Sequence, residues 1–262
     1  MKRYPGTLPF TAADKDLFFG RQKEMAELSQ LISLKQLVVL YGKSGLGKSS
    51  LIQAGIIPRI EAAKTFQPIY IRFTANNHLD VASPTETTKK VIGENFNSKT
   101  FLHKIKSEES SLWATVKERQ INGGGHQLVL FFDQFEELFS YSDRAIQTYL
   151  RELRELVGTA IPQRIRDELN KLEDDFLTVE EEDVFYENLE IKVVFSIRSD
   201  RMHLMNKLAR NLPQILANNY ELQPLSLADA KDAIVLPAAA NGNFDSQKFT
   251  YSNDALAKIL TF

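Results

Sequence analysis

The chain predicts an α/β fold built on a parallel sheet, and three observations carry that prediction. Four apolar runs, LVVLY (37–41), IYIRF (69–73), LVLFF (128–132) and IKVVFSI (191–197), are rich in β-branched and aromatic residues without clean polar alternation. That is the pattern of strands buried on both faces of a sheet. Helix-compatible segments separate them, so strand and helix alternate as in repeated βαβ units. The first run leads straight into GKSGLGKSS (42–50) and a further apolar stretch, the strand, glycine-punctuated bend and helix of a phosphate-binding loop.

Bulk properties narrow the class. With 262 residues, 43% of them hydrophobic, the chain can bury a sizeable core. Its 32 basic and 34 acidic side chains leave a formal charge of −2, so no global basic field invites nucleic acid. No apolar run approaches the roughly 18 residues that span a bilayer. Pro5, Pro9 and Asp14 interrupt the start where a signal peptide needs an apolar core. A cytoplasmic protein without membrane or specific nucleic-acid partners is expected. The absence of cysteine excludes disulfides, thiolate metal sites and cysteine nucleophiles. His78, His103, His126 and His203 form no pair at ligand spacing, so no transition-metal site is expected.

Taken in order, the elements read as follows. Met25, Leu28, Leu31 and Ile32 recur at three and four between Arg21 and Leu34, which predicts a helix packed on one side. LVVLY is the first strand and SSLIQA (49–54) opens the helix after the bend. About 30 residues separate the first two strands and about 55 each later pair, so the later crossovers carry helical insertions beyond a minimal unit of about 30. In the last of these, YLRELRELV (149–157) is amphipathic, and the acidic run EDDFLTVEEED (173–183) reads as a solvated face or loop. After Pro224, Ser226 and Asp229 are spaced like a capping box with Asp in place of Glu. A helix is expected to start there and to end at Pro237, with a turn at AANGNFD (239–245) and a final helix over SNDALAKIL (252–260). The chain divides into a lead-in, 1–16, a core, 17–224, and the beginning of a helical lid, 225–262. The amphipathic pattern running into the last residue reads as a domain taken from a longer protein.

The chemistry concentrates in the bend. Gly42, Gly47, Lys48 and Ser49 match G-x-x-x-x-G-K-[ST] between a strand and a helix. Glycines let successive N–H groups of Gly42, Lys43, Ser44, Gly45, Leu46, Gly47, Lys48, Ser49 and Ser50 turn inward, forming an anion nest at the positive end of the next helix. Lys48 supplies a mobile charge to the β and γ phosphates, and the Ser49 hydroxyl is a ligand for Mg²⁺. Asp133 closes LVLFF at the carboxyl end of its strand, where open α/β sheets bind ligands, and can hold the same ion. Glu136 or Glu137, within one turn, could deprotonate an attacking water. Arg198, closing VVFSI, is placed to reach a γ-phosphate, with Arg201 and Arg72 as weaker candidates. A guanine site would want N-K-x-D; NKLE (170–173) and NKLA (206–209) lack the aspartate and follow no strand, so adenine is the better reading.

DLFFGRQKEMAELSQLI, VVLYGKSGLGKSSLIQAGIIPRI, VLFFDQFEELF, VVFSIRSDR and YELQPLSLADAKDAIVLPA, in this order from about Asp16 to Ala240, resemble the STAND ATPases, particularly the novel STAND group. The resemblance implies a three-layer αβα P-loop NTPase with sheet order 5-1-4-3-2 and a site for ATP or ADP with Mg²⁺. It implies that Phe19, Gly20 and Arg21 lie near the adenine, that Glu136 serves hydrolysis, and that Arg198 senses the γ-phosphate. It also implies a slow molecular switch in signalling or antiviral defence, joined to sensor and effector domains and able to self-associate on activation. Gln134 after Asp133 departs from the glutamate of many AAA enzymes, which points to slow turnover. Relatives continue into a winged-helix module whose Gly-x-Pro element closes over the base; the chain stops at Phe262 before one, so a half-covered site is expected. The rival readings are a nucleotide-binding scaffold without turnover and a small-molecule kinase, though no arginine-rich lid follows Arg198.

Overall fold

The computed structural model describes residues 2–75, 82–94, 101–104, 111–124, 126–158, 160–171 and 176–261. His78, the start of the acidic run and the end of NKLE lie outside them. The predicted strands form as β1 (Leu37–Gly42), β2 (Gln67–Arg72), β3 (Leu128–Asp133) and β4 (Ile191–Arg198), joined by a short β5 (Asn219–Glu221). All neighbours run parallel, in the order β2-β3-β4-β1-β5, which is the expected 5-1-4-3-2 sheet read from the other edge. β5 has no apolar run to announce it. Its three residues are exposed or half-buried, and its register on Val39–Tyr41 comes from the sheet edge itself.

Strand alternation explains why the runs looked continuously apolar. Leu37 and Val39 of β1, with Leu128, Leu130 and Phe132 of β3, enter one core, while Val38, Leu40, Val129 and Phe131 enter the other. Helices α1 (Gln22–Leu34) and α2 (48–63) cover the second core through Met25, Leu28, Ile32, Leu51 and Ile52. Helix α2 joins α-helical turns Lys48–Ser50 and Ile57–Ala63 through a π-helical stretch, Leu51–Ile56. The opposite face carries α3 (Pro84–Gly93), α4 (Leu112–Asn122) and α5 (Asp143–Val157), the last built on the predicted amphipathic segment. Next come α6 (Gln163–Leu169) and α7 (Val179–Tyr186). The described part of the acidic run caps and opens α7: Thr178 is its N-cap, and Glu180, Glu181 and Glu182 fill its first turn, where negative charge suits the helix dipole.

Beyond the sheet lie α8 (Leu227–Ala239), N-capped by Ser226 as expected, and α9 (Asn253–Leu260). Pro237 does not end α8, contrary to the sequence reading. The helix continues to Ala239, since a proline this near the end forfeits one hydrogen bond while its φ suits a helix.

The lead-in is part of the packing rather than a loose approach. Arg3 is buried, donates to the Pro237 and Ala240 carbonyls at 2.8 and 2.9 Å, and lies 4.2 Å from the Phe244 ring centroid. Tyr4 donates to the Ile234 carbonyl, and Tyr251 donates to Tyr4 at 3.2 Å. The Phe10 amide donates to Ser50 Oγ at 3.0 Å, tying the strap to the phosphate-binding loop. Gly20 sits against α8 at φ +80°, where an added Cβ would come within 2.4 Å of the Asp229 carbonyl oxygen. Gly20→Ala is therefore expected to cost about 1–2 kcal/mol from the left-handed backbone alone. That would appear as a thermal midpoint lower by about 2–8 °C.

Candidate functional site

β1 delivers the chain to Gly42, whose missing side chain lets the Leu222 backbone approach; a Cβ there would meet its oxygen at 2.8 Å. Gly45 and Gly47 then adopt φ of +83° and +89° with open space around them, so glycine is needed for conformation, not for room. Gly47 leads into α2, and the loop wraps the floor of a cavity of about 690 Å³. Ser44 to Ser50 line it, whereas Gly42 and Lys43 contribute carbonyls beneath it. The Lys48 ammonium donates to those carbonyls at 2.8 and 3.2 Å. Burial pulls its pKa below the ordinary lysine value, against the upward pull of Glu136 and Asp133.

The carboxyl ends of β3 and β4 form the facing wall. Ser49 Oγ donates to Asp133 Oδ2 at 2.6 Å, and the Tyr70 hydroxyl donates to the same oxygen at 2.7 Å. Burial, with Asp133 beside it, pushes the Tyr70 phenol well above its usual range, so it remains a donor. Gln134 follows with φ +53°, a conformation rare for a side-chain-bearing residue, and accepts from Arg72 Nε at 2.9 Å. Phe135 anchors the next turn with its ring 4.5 Å from that of Phe195. That anchor, with buried Leu138, lifts Glu136 toward the cavity. Glu136 Oε2 is buried without a partner, and burial raises its carboxyl pKa. Ser196 Oγ, also buried and unpartnered, lines the same cavity.

Of the two candidate bases, Glu136 reaches this cavity; Glu137 lines only a second one, of about 310 Å³. Arg198 lines both cavities, Arg72 lines the main one and Arg201 the smaller one. Arg198 grips Asp200 through two hydrogen bonds of 3.1 and 2.9 Å. Phe19 and Arg21 both line the cavity, and the Arg21 guanidinium donates to Glu24 and to the carbonyls of Gln223 and Leu46. Arg21 thus braces the loop against the β5 exit.

Sequence reasoning missed three contributors. Ser196 gave no signal inside an apolar strand, and Tyr70 resembled strand filling. Leu8, Pro9 and Phe10 of the strap line the apolar side of the cavity, with Leu225 and Ala233 facing them.

A family model described as novel STAND NTPase 1 matches residues 4–252. The chain belongs to the novel STAND NTPase family. No curated protein sequence matches it. Among solved structures, this STAND NTPase is similar to the Walker-type ATPase PABY2304 of Pyrococcus abyssi, at 12% identity and TM-score 0.57, over 96% of this chain and 65% of that one. It is also similar to the ORC2 protein of Aeropyrum pernix with ADPNP and ADP, at 14% and 0.53, over 87% and 52%. Cdc6p of Pyrobaculum aerophilum gives 16% and 0.52, over 98% and 57%. At these identities the likeness is one of fold, and the STAND NTPase spans between half and two thirds of each of those chains. No described helix is long and apolar enough to cross a membrane.

Proposed function

We propose that this STAND NTPase domain binds ATP with Mg²⁺ and hydrolyses it slowly, as the switch of a signalling or defence protein. The observation that carries the reading is the meeting of Ser49 and Asp133 at 2.6 Å beside Lys48, with the unpartnered Glu136 Oε2 on the same cavity. Hydroxyl and carboxylate oxygens are the hard donors that Mg²⁺ takes, so the residues fit that ion. Bound there, it would supply neutralising charge to the β and γ oxygens.

This chain's own residues do the rest. The loop amides cradle the phosphates, Lys48 turns from its carbonyls to the β and γ oxygens, and Glu136 accepts the proton of a water that Ser196 helps to hold. The strap and α8 offer the base an apolar slot, which suits adenine. ATP occupancy then shifts the balance between conformations, and turnover times the return. The Arg198–Asp200 pair favours a second reading, a scaffold with little turnover, because it holds the γ-phosphate cation on a carboxylate.

Phosphate release from the purified protein decides between them: steady Mg²⁺-dependent ATP turnover supports the switch, and tight binding without release supports the scaffold. Asp200→Asn frees Arg198, and the preference for ATP over ADP is expected to rise about two- to fivefold, the scale of an exposed ion pair. An unchanged ratio in a nucleotide titration would remove Arg198 from γ-phosphate sensing.

A further inference from the structure

Four side chains from three elements form a hydrogen-bonded chain that ends on the two proposed Mg²⁺ ligands. Ser49 and Gln53 lie four apart on α2, hence on one face. Ser49 donates to Asp133 Oδ2, Tyr70 donates to that same oxygen, and Gln53 Nε2 donates to the Tyr70 hydroxyl at 3.1 Å. Tyr70 pairs with Phe131 in the register and Arg72 with Asp133, so the phenol reaches from β2 toward the end of β3. Gln53 lies in the π-helical stretch Leu51–Ile56, a distortion found often at functional sites.

We infer that Tyr70, held by Gln53, is the positioning residue that fixes the Asp133 carboxylate for Mg²⁺ and so sets the affinity of the nucleotide complex for the ion. This rests on the reading of the cavity as an Mg²⁺–ATP site. Two donors on one carboxylate oxygen settle which way the group turns. The Tyr70 donor stays committed to Asp133 whichever partner the Ser49 hydroxyl takes. The hydrogen bond that Tyr70 accepts from Gln53 polarises its own O–H and strengthens the donation. Partners of metal-ligating carboxylates that act in this way change metal affinity by about 10- to 100-fold when removed.

The test is a Mg²⁺ titration of the whole chain saturated with a fluorescent ATP analogue, compared with analogue binding in EDTA. Tyr70→Phe keeps the ring and removes the hydroxyl. Its Mg²⁺ midpoint is expected to rise about tenfold while binding in EDTA stays as in the wild type. Gln53→Met, which leaves Tyr70 intact, is expected to move the midpoint the same way by less, and it serves alone if Tyr70→Phe folds poorly. A wild-type midpoint in both variants overturns the inference, as does an equal loss of binding with and without the ion. If the wild type itself binds the analogue without regard to Mg²⁺, the Mg²⁺ site falls and this assignment with it.

Discussion

Lys48→Ala is expected to weaken ATP binding by about 10- to 100-fold, the cost of losing charge-assisted hydrogen bonds to phosphate. The fold should survive, because among the described residues the ammonium donates to the Gly42 and Lys43 carbonyls of its own loop. Titration of a fluorescent ATP analogue with Mg²⁺ measures the loss. Equal affinity in mutant and wild type would mean that phosphate is held elsewhere. Arginine at this position is not expected to rescue, since the guanidinium is a planar fork where the site takes a compact point charge.

Glu136→Gln is expected to retain binding and to lower turnover by about 10²- to 10⁴-fold, the usual share of a general base. Its pH behaviour makes the assignment specific. Burial raises the Glu136 pKa, and a base works only when ionised. The acid limb of the turnover profile should therefore lie above the ordinary glutamate range, and activity should fall as pH drops through the raised value. The stability sign runs the other way. A carboxyl with a raised folded pKa contributes stability below its unfolded pKa and loses it as pH rises through the folded one. Glu136→Gln should accordingly unfold at a higher temperature than wild type at neutral pH, with the difference vanishing in acid. A profile that keeps its acid limb in the mutant would assign the base to another group.

Legibility followed the physics of each residue. Strands buried on both faces, the glycine conformations of the loop and the placement of Asp133 at a strand end are local or periodic, and the sequence carried them. The pairing of Ser49 with Asp133 was readable because parallel topology brings the carboxyl ends of β1 and β3 to one edge. β5 was not readable: its partner is an edge, and its Asn, Tyr and Glu bury little. The bonds of Arg21 to two backbone carbonyls, at Leu46 and Gln223, were not readable either, since only tertiary structure brings those groups together. Tyr70 and Ser196 act through atoms at the ends of side chains whose apolar strand context says nothing about their direction. The strap escaped because Arg3 and Tyr4 find their partners more than two hundred positions away.

That separation bears on how the molecule assembles. Arg3 and Pro237 stand 234 positions apart, and closing so long a loop costs more entropy than any contact within the sheet. Docking of the strap is thus expected among the last folding events, after the parallel strands have paired. Since Leu8, Pro9 and Phe10 complete the apolar side of the cavity, a partly folded chain can own a finished phosphate loop and still lack a seat for the base. A chain whose strap has not docked is therefore expected to bind nucleotide more weakly than the finished fold.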